Sequence, residues 1–88
     1  MDNDQLTPEN ATNEEKKTIK DDLLEIIKLT NRSNDSLKKA IELKVYSDTY
    51  TKEQIEYDIE FNNKMILSCK EQLDYYNIPY TEEEINNR

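Results

Sequence analysis

The chain reads as all-α: a small helical hairpin or three-helix arrangement, with a coiled-coil-like seam on the helix near residues 52–76. Three observations predict it. Apolar residues recur at helical spacing, and no useful length of sequence alternates as a strand would. Thr12, Thr51 and Thr81 each stand three residues before a Glu or Gln, the spacing of a capping box. Glycine is absent from all 88 residues, where average usage would supply about six. The chain therefore has no cheap route to the positive φ that tight primed hairpins and phosphate-cradling loops require.

The elements follow in order. Residues 1–11 form a polar leader, expected to be flexible unless a partner holds it. Leu6, Thr7, Pro8 at the first helical position and Ala11 make a weak helix start within it. A single helical domain, 12–88, begins at Thr12 with Glu15. Ile19, Leu23, Ile26 and Ile27 then lie on one helix face. Between Asn31 and Asp35 the stripe weakens, and Ser33, Asn34 and Asp35 are all good N-caps. A break there into two helices is the favoured reading, with one long kinked helix as the alternative. A second stripe runs through Leu37, Ala40, Ile41 and Val45, and residues 46–51 form a connection.

Thr51 opens the strongest element, where Tyr50 and Ile55 occupy the positions of a hydrophobic staple. Ile55, Ile59, Asn62, Ile66, Cys69, Leu73 and Tyr76 follow at steps of 4, 3, 4, 3, 4 and 3. Such a stripe is the seam of a coiled coil or of a tightly packed antiparallel hairpin. Phe61 and Met65 widen it, and Asn62 is placed to fix register or oligomeric state. Asn77-Ile78-Pro79 ends the helix, because proline disfavours a helical residue before it. The capping pattern then recurs with Tyr80, Thr81, Glu84 and Ile85, predicting a short turn or helix over residues 82–86.

Composition sets the function classes. Hydrophobic residues are 34% of the chain and charged residues 36%, against a usual apolar share of about 45–50%. A core this small is marginal, so the apolar stripe is expected to be buried against a second copy or a partner. Twenty acids face twelve bases, a net charge of −8. That balance argues against direct binding to nucleic acid and to anionic membranes, and it suits a protein partner with a basic surface. Residues 28–44 are the exception, since Lys28, Arg32, Lys38, Lys39 and Lys44 outnumber Asp35 and Glu42.

Catalytic equipment is sparse. There is no histidine, hence no side chain that ordinarily titrates near neutrality and no common neutral metal ligand. Cys69 is the only cysteine; it can form no internal disulfide, has no histidine to activate it, and reads as a small buried hydrophobe. Acids such as Asp21, Asp22, Glu25, Glu53, Glu56, Asp58 and Glu60 read as solvated helix surface. No cofactor, metal site or enzymatic activity is expected. The polar start and the lack of a membrane-spanning run predict an intracellular protein, in host cytoplasm or in a virion. Abundant Lys, Asn, Ile and Glu suggest AT-rich coding, as in a phage or mobile element.

Tyrosine is the remaining signal. Six of the seven aromatics are tyrosines, and tyrosine is enriched at interfaces. Tyr57, Tyr75, Tyr76 and Tyr80, with Glu82 and Glu83, form the expected partner-binding surface. Ile55, Ile59, Asn62, Ile66, Cys69 and Leu73 form the expected oligomer seam. The small acidic chain with its Tyr75-Tyr76 pair faintly resembles colicin-type immunity proteins over that pair alone, and no family is assigned from it. The leading expectation is an acidic helical protein that binds a protein partner and modulates or inhibits it, in an antitoxin, immunity or anti-defence role. The alternative is an assembly component, an oligomeric coiled-coil adaptor or scaffold such as a phage particle protein.

Overall fold

A computed structural model describes residues 5–88; the first four residues of the predicted leader lie outside that range. The fold is all-α. Helix α1 spans Asn13–Glu42, α2 spans Lys52–Tyr75 and α3 spans Glu82–Ile85. The two long helices pack against each other as an antiparallel hairpin, and α3 folds back onto α1. The Cα envelope measures 52 × 31 × 14 Å, a layer one helix thick.

All three threonine caps form as the spacing predicts, with differences in detail. The Thr12 hydroxyl accepts from the Glu15 amide and the Glu15 carboxylate accepts from the Thr12 amide. Thr81 and Glu84 repeat this reciprocal pair. Thr51 accepts from the Gln54 amide at 3.2 Å, but the Gln54 side chain turns away and donates to Asp58 at 3.0 Å, so that box is half made. The weak start at Thr7 produces a single turn, closed by the Ala11 amide on the Thr7 carbonyl. It cannot continue because Thr12 returns to extended backbone to cap α1.

Both long helices stop without glycine. After α1 the Val45 amide reaches the Ala40 carbonyl at 2.8 Å and the Lys44 amide reaches Ile41 at 3.1 Å. After α2 the Ile78 amide reaches Leu73 at 2.9 Å and the Asn77 amide reaches Asp74 at 3.0 Å. These are Schellman motifs, which place one residue in the left-handed region. Lys44 and Asn77 occupy it, each with φ of 58°. At α2 the accompanying apolar contact is present too, since Leu73 and Ile78 are both buried in one cluster. The second stripe therefore ends sooner than its spacing suggests, and Val45 lies beyond the helix, exposed.

The favoured break at 31–35 does not occur: α1 runs through it. Each cap-capable side chain there is engaged elsewhere. Asn31 donates to the carbonyls of Ile85 and Asn87 at 2.8 and 3.0 Å. Asn34 accepts from Asn62 and donates to Asn63, both at 3.0 Å. The Ser33 hydroxyl accepts from Asn62, and Asp35 accepts from Arg88. Tertiary partners have taken the groups that would otherwise have ended the helix.

Leu23, Ile27, Cys69, Leu73, Ile78 and Ile85 form the core, with Ile19, Leu24, Ile66, Tyr76 and Tyr80 packed around it. Ile27, Ile55 and Leu73 are wholly inaccessible. The core sits toward the end of the hairpin where α3 closes it. Midway along the hairpin the helices meet through Asn34, Asn62 and Asn63, and beyond them Ile55 is buried and Leu37, Ile41 and Ile59 are half-buried. Asn31 and Arg32 hold the C-terminal segment through the carbonyls of Ile85, Asn87 and Arg88. The Lys20–Glu84 and Arg88–Asp35 ion pairs reinforce that clamp.

Candidate functional site

The predicted seam lies between α2 and α1 of the same chain. Ile55, Cys69 and Leu73 are buried, and Ile59, Asn62, Ile66 and Tyr76 are half-buried. Asn62 donates to both Ser33 and Asn34, so its amide sets the register of α2 against α1. A slip by one turn would leave the buried Asn34 amide without its partners. Cys69 is closed off from solvent, and burial pushes its thiol above the usual range.

The predicted partner-binding set divides in two. Tyr75, Tyr76 and Tyr80 come together where α2 ends, followed at once by Glu82 and Glu83 in the first turn of α3. Tyr57 stands apart: eighteen residues of helix separate it from Tyr75, about 27 Å of rise. Within the cluster the rings do different work. Tyr76 packs on the core and its hydroxyl donates to the Leu6 carbonyl at 3.2 Å, tying the leader turn to α2. Tyr80 also packs on the core; partial burial and then the Asp74 carboxylate push its hydroxyl above the usual tyrosine range. Tyr75 meets Tyr76 edge-on, with centroids 5.0 Å apart and planes at 84°, yet remains 56% exposed. Its ring is held in place and presented outward. Glu82 and Glu83 are exposed, whereas Glu84 is drawn into its cap and the Lys20 ion pair, which hold its carboxyl below the usual range.

A second surface was not legible as such. Met65 lies beside the seam as expected, its sulfur accepting from Thr30, whereas Phe61 turns further outward along the flank and is 53% exposed. At 3.6 residues per turn, Gln54, Tyr57, Phe61, Met65, Ser68 and Gln72 share that flank of α2. On α1 the corresponding flank carries Ile26, Leu29, Ser33, Ser36, Ala40 and Leu43. The flanks lie on one side of the hairpin, because Thr30 donates to the Met65 sulfur and Asn62 to Ser33 across that side. The C-terminal segment is bound to Asn31 and Asp35, on the opposite side. One carboxylate, Asp58, intrudes on the uncharged side, and it is occupied by Tyr50 at 2.6 Å and by Gln54. The signal was available as a period: Ile26, Leu29, Ser33, Ala40 and Leu43 keep helical spacing with no charge among them.

No group of three or more potential metal ligands exists among the described residues. No helix among them is long and apolar enough to cross a membrane. Comparison with protein-family models, with curated proteins and with solved structures gives no match to this chain.

Proposed function

We propose that this chain is a small, non-enzymatic binding protein that modulates or inhibits a protein partner by covering part of that partner's surface. The role fits an antitoxin, an immunity factor or an anti-defence protein of a phage or mobile element, acting in the host cytoplasm. The observation that carries this reading is the presented Tyr75 ring, braced by Tyr76 and followed within a few residues by the exposed carboxylates of Glu82 and Glu83. A rigid aromatic anchor loses little entropy on binding, and carboxylates around it favour Arg and Lys on the opposing surface. A chain of net charge −8 also steers toward a basic partner over a distance comparable with the Debye length.

Affinity capture tests it. The tagged protein, incubated with a lysate of the organism that encodes it, is expected to retain one foreign basic protein in stoichiometric amount. That protein should be lost in high salt, and lost at low salt from a Tyr75→Ala, Glu82→Gln, Glu83→Gln variant of unchanged helicity. Retention by the variant would move the site elsewhere. Recovery of the chain alone, as a defined oligomer, would favour the second reading, a structural or assembly component. That alternative draws on a different observation, the uncharged side of the hairpin.

A further inference from the structure

The hairpin leaves one broad side uncovered, and three features of that side select the same occupant. The first is charge. With a net charge of −8, two copies of this chain repel over most of their surface. Along α1 from Ile26 to Leu43 and along α2 from Gln54 to Ser68, the side is uncharged except for Asp58. A foreign basic partner would be matched to the acidic surface, whereas a like-charged copy meets little repulsion here.

The second feature is area. From Ile26 to Leu43 the helix and its cap rise about 26 Å, and two helices side by side are about 20 Å wide. The footprint is about 500 Å² per copy and about 1,000 Å² for the pair, which reaches the lower bound of a specific interface. The chain exposes 6479 Å², about 1,000 Å² more than a compact monomer of 10.5 kDa is expected to expose. The third feature is the rim. Within this span the outer edge of α1 carries Lys28, Arg32 and Lys39, and that of α2 carries Glu60 and Lys64. A copy turned about an axis parallel to the helices lays its α1 over the first copy's α2 and, at the heights the Asn34–Asn62 pair sets, brings Glu60 between Arg32 and Lys39 at each edge, with Lys64 the one like charge there.

We infer that a second copy of this chain covers the side formed by Ile26, Leu29, Ala40, Tyr57, Phe61 and Met65, completing a two-fold four-helix bundle. The two seams stay within their own hairpins, and the Tyr75 ends lie outside the contact. The inference therefore uses a surface separate from the tyrosine end and stands or falls without it.

Sedimentation equilibrium of the full chain from about 1 μM to about 1 mM, the range of modest affinities, is the test. A mass of twice 10.5 kDa is expected at the upper end. Leu29→Glu and Phe61→Glu are each expected to return it to the single-chain mass with helicity unchanged by circular dichroism. Leu29→Asn and Phe61→Asn replace them if a glutamate variant fails to fold. Leu67→Glu, at a 54% exposed leucine on the other side of α2, should leave the dimer intact. A single-chain mass throughout would overturn the inference, as would a dimer that survives the substitutions at both positions 29 and 61. A dimer abolished by Leu67→Glu would overturn it as well.

Discussion

Replacing Lys44 with glycine, and separately with alanine, isolates the cost of ending a helix without glycine. Lys44 holds φ at 58° so that its amide and that of Val45 can close the Schellman motif on Ile41 and Ala40. A side chain in the left-handed region costs about 1–2 kcal/mol, because Cβ crowds the following carbonyl. Glycine removes that cost but returns about 0.4–1 kcal/mol of freedom to the unfolded chain. Both variants lose the same lysine charge near the C-terminal end of α1, which cancels when they are compared. The glycine variant should exceed the alanine variant by about 1 kcal/mol. In a urea titration followed by circular dichroism, that is about 0.3–1 M in midpoint at an unchanged slope. Protein concentration is held fixed so that association does not enter. Asn77, with the same φ, supplies the replicate through Asn77→Gly and Asn77→Ala. Equal midpoints for the glycine and alanine variants at both sites would refute the claim that backbone strain is stored there.

Three further outcomes are expected. Ile27→Ala, at a residue with 0% exposure, should cost about 2–5 kcal/mol and Ile27→Val about 0.5–1.5 kcal/mol; thermal unfolding by circular dichroism measures both, and equal losses would place Ile27 outside the core. Asn34→Ala leaves Asn63 without its donor and Asn62 with only Ser33, so a loss of about 1–3 kcal/mol is expected in the same assay. Asp35 is held below the usual carboxylate range by its hydrogen bond to Arg88, and Glu84 by the Thr81 amide and then by Lys20. Groups depressed in the folded state stabilise it fully above their unfolded values near pH 4 and cease to do so as pH falls through the folded values. Residues 82–88 should therefore loosen from α1 below about pH 4 while the hairpin persists, seen as falling amide order parameters over that segment; loosening on raising the pH from 5 to 8 would reverse the assignment.

The helix starts were legible because they are written locally. A threonine three residues before Glu15, Gln54 or Glu84 forms its bond whatever the rest of the chain does. The α2 stripe was legible because its period is unbroken, and Leu73 and Cys69 are buried as it requires. The region 31–35 was misread because Asn and Ser carry the same donors and acceptors for capping as for bridging helices. Only partners 28 to 56 residues away, at Asn62, Asn63 and Asn87, decide between the two uses. The period survives there in polar form: Leu23, Ile27, Thr30, Asn34, Leu37 and Ile41 keep steps of 4, 3, 4, 3 and 4. Of the candidate site, the clustering of Tyr75, Tyr76 and Tyr80 was visible from adjacency. Their division into two core rings and one presented ring was not, since it depends on Leu6 and on the α1 residues Leu23 and Ile27 arriving from other segments.

A layer one helix thick has a thermal consequence. The heat-capacity change of unfolding scales with the surface that unfolding exposes. With 6479 Å² already exposed in the fold, the single chain uncovers about a tenth less surface than a compact protein of its mass would. Its stability curve should be correspondingly flatter, with a lower curvature about its maximum. Cooling and warming by the same interval then change its folding free energy less than they would for a rounder domain of equal size.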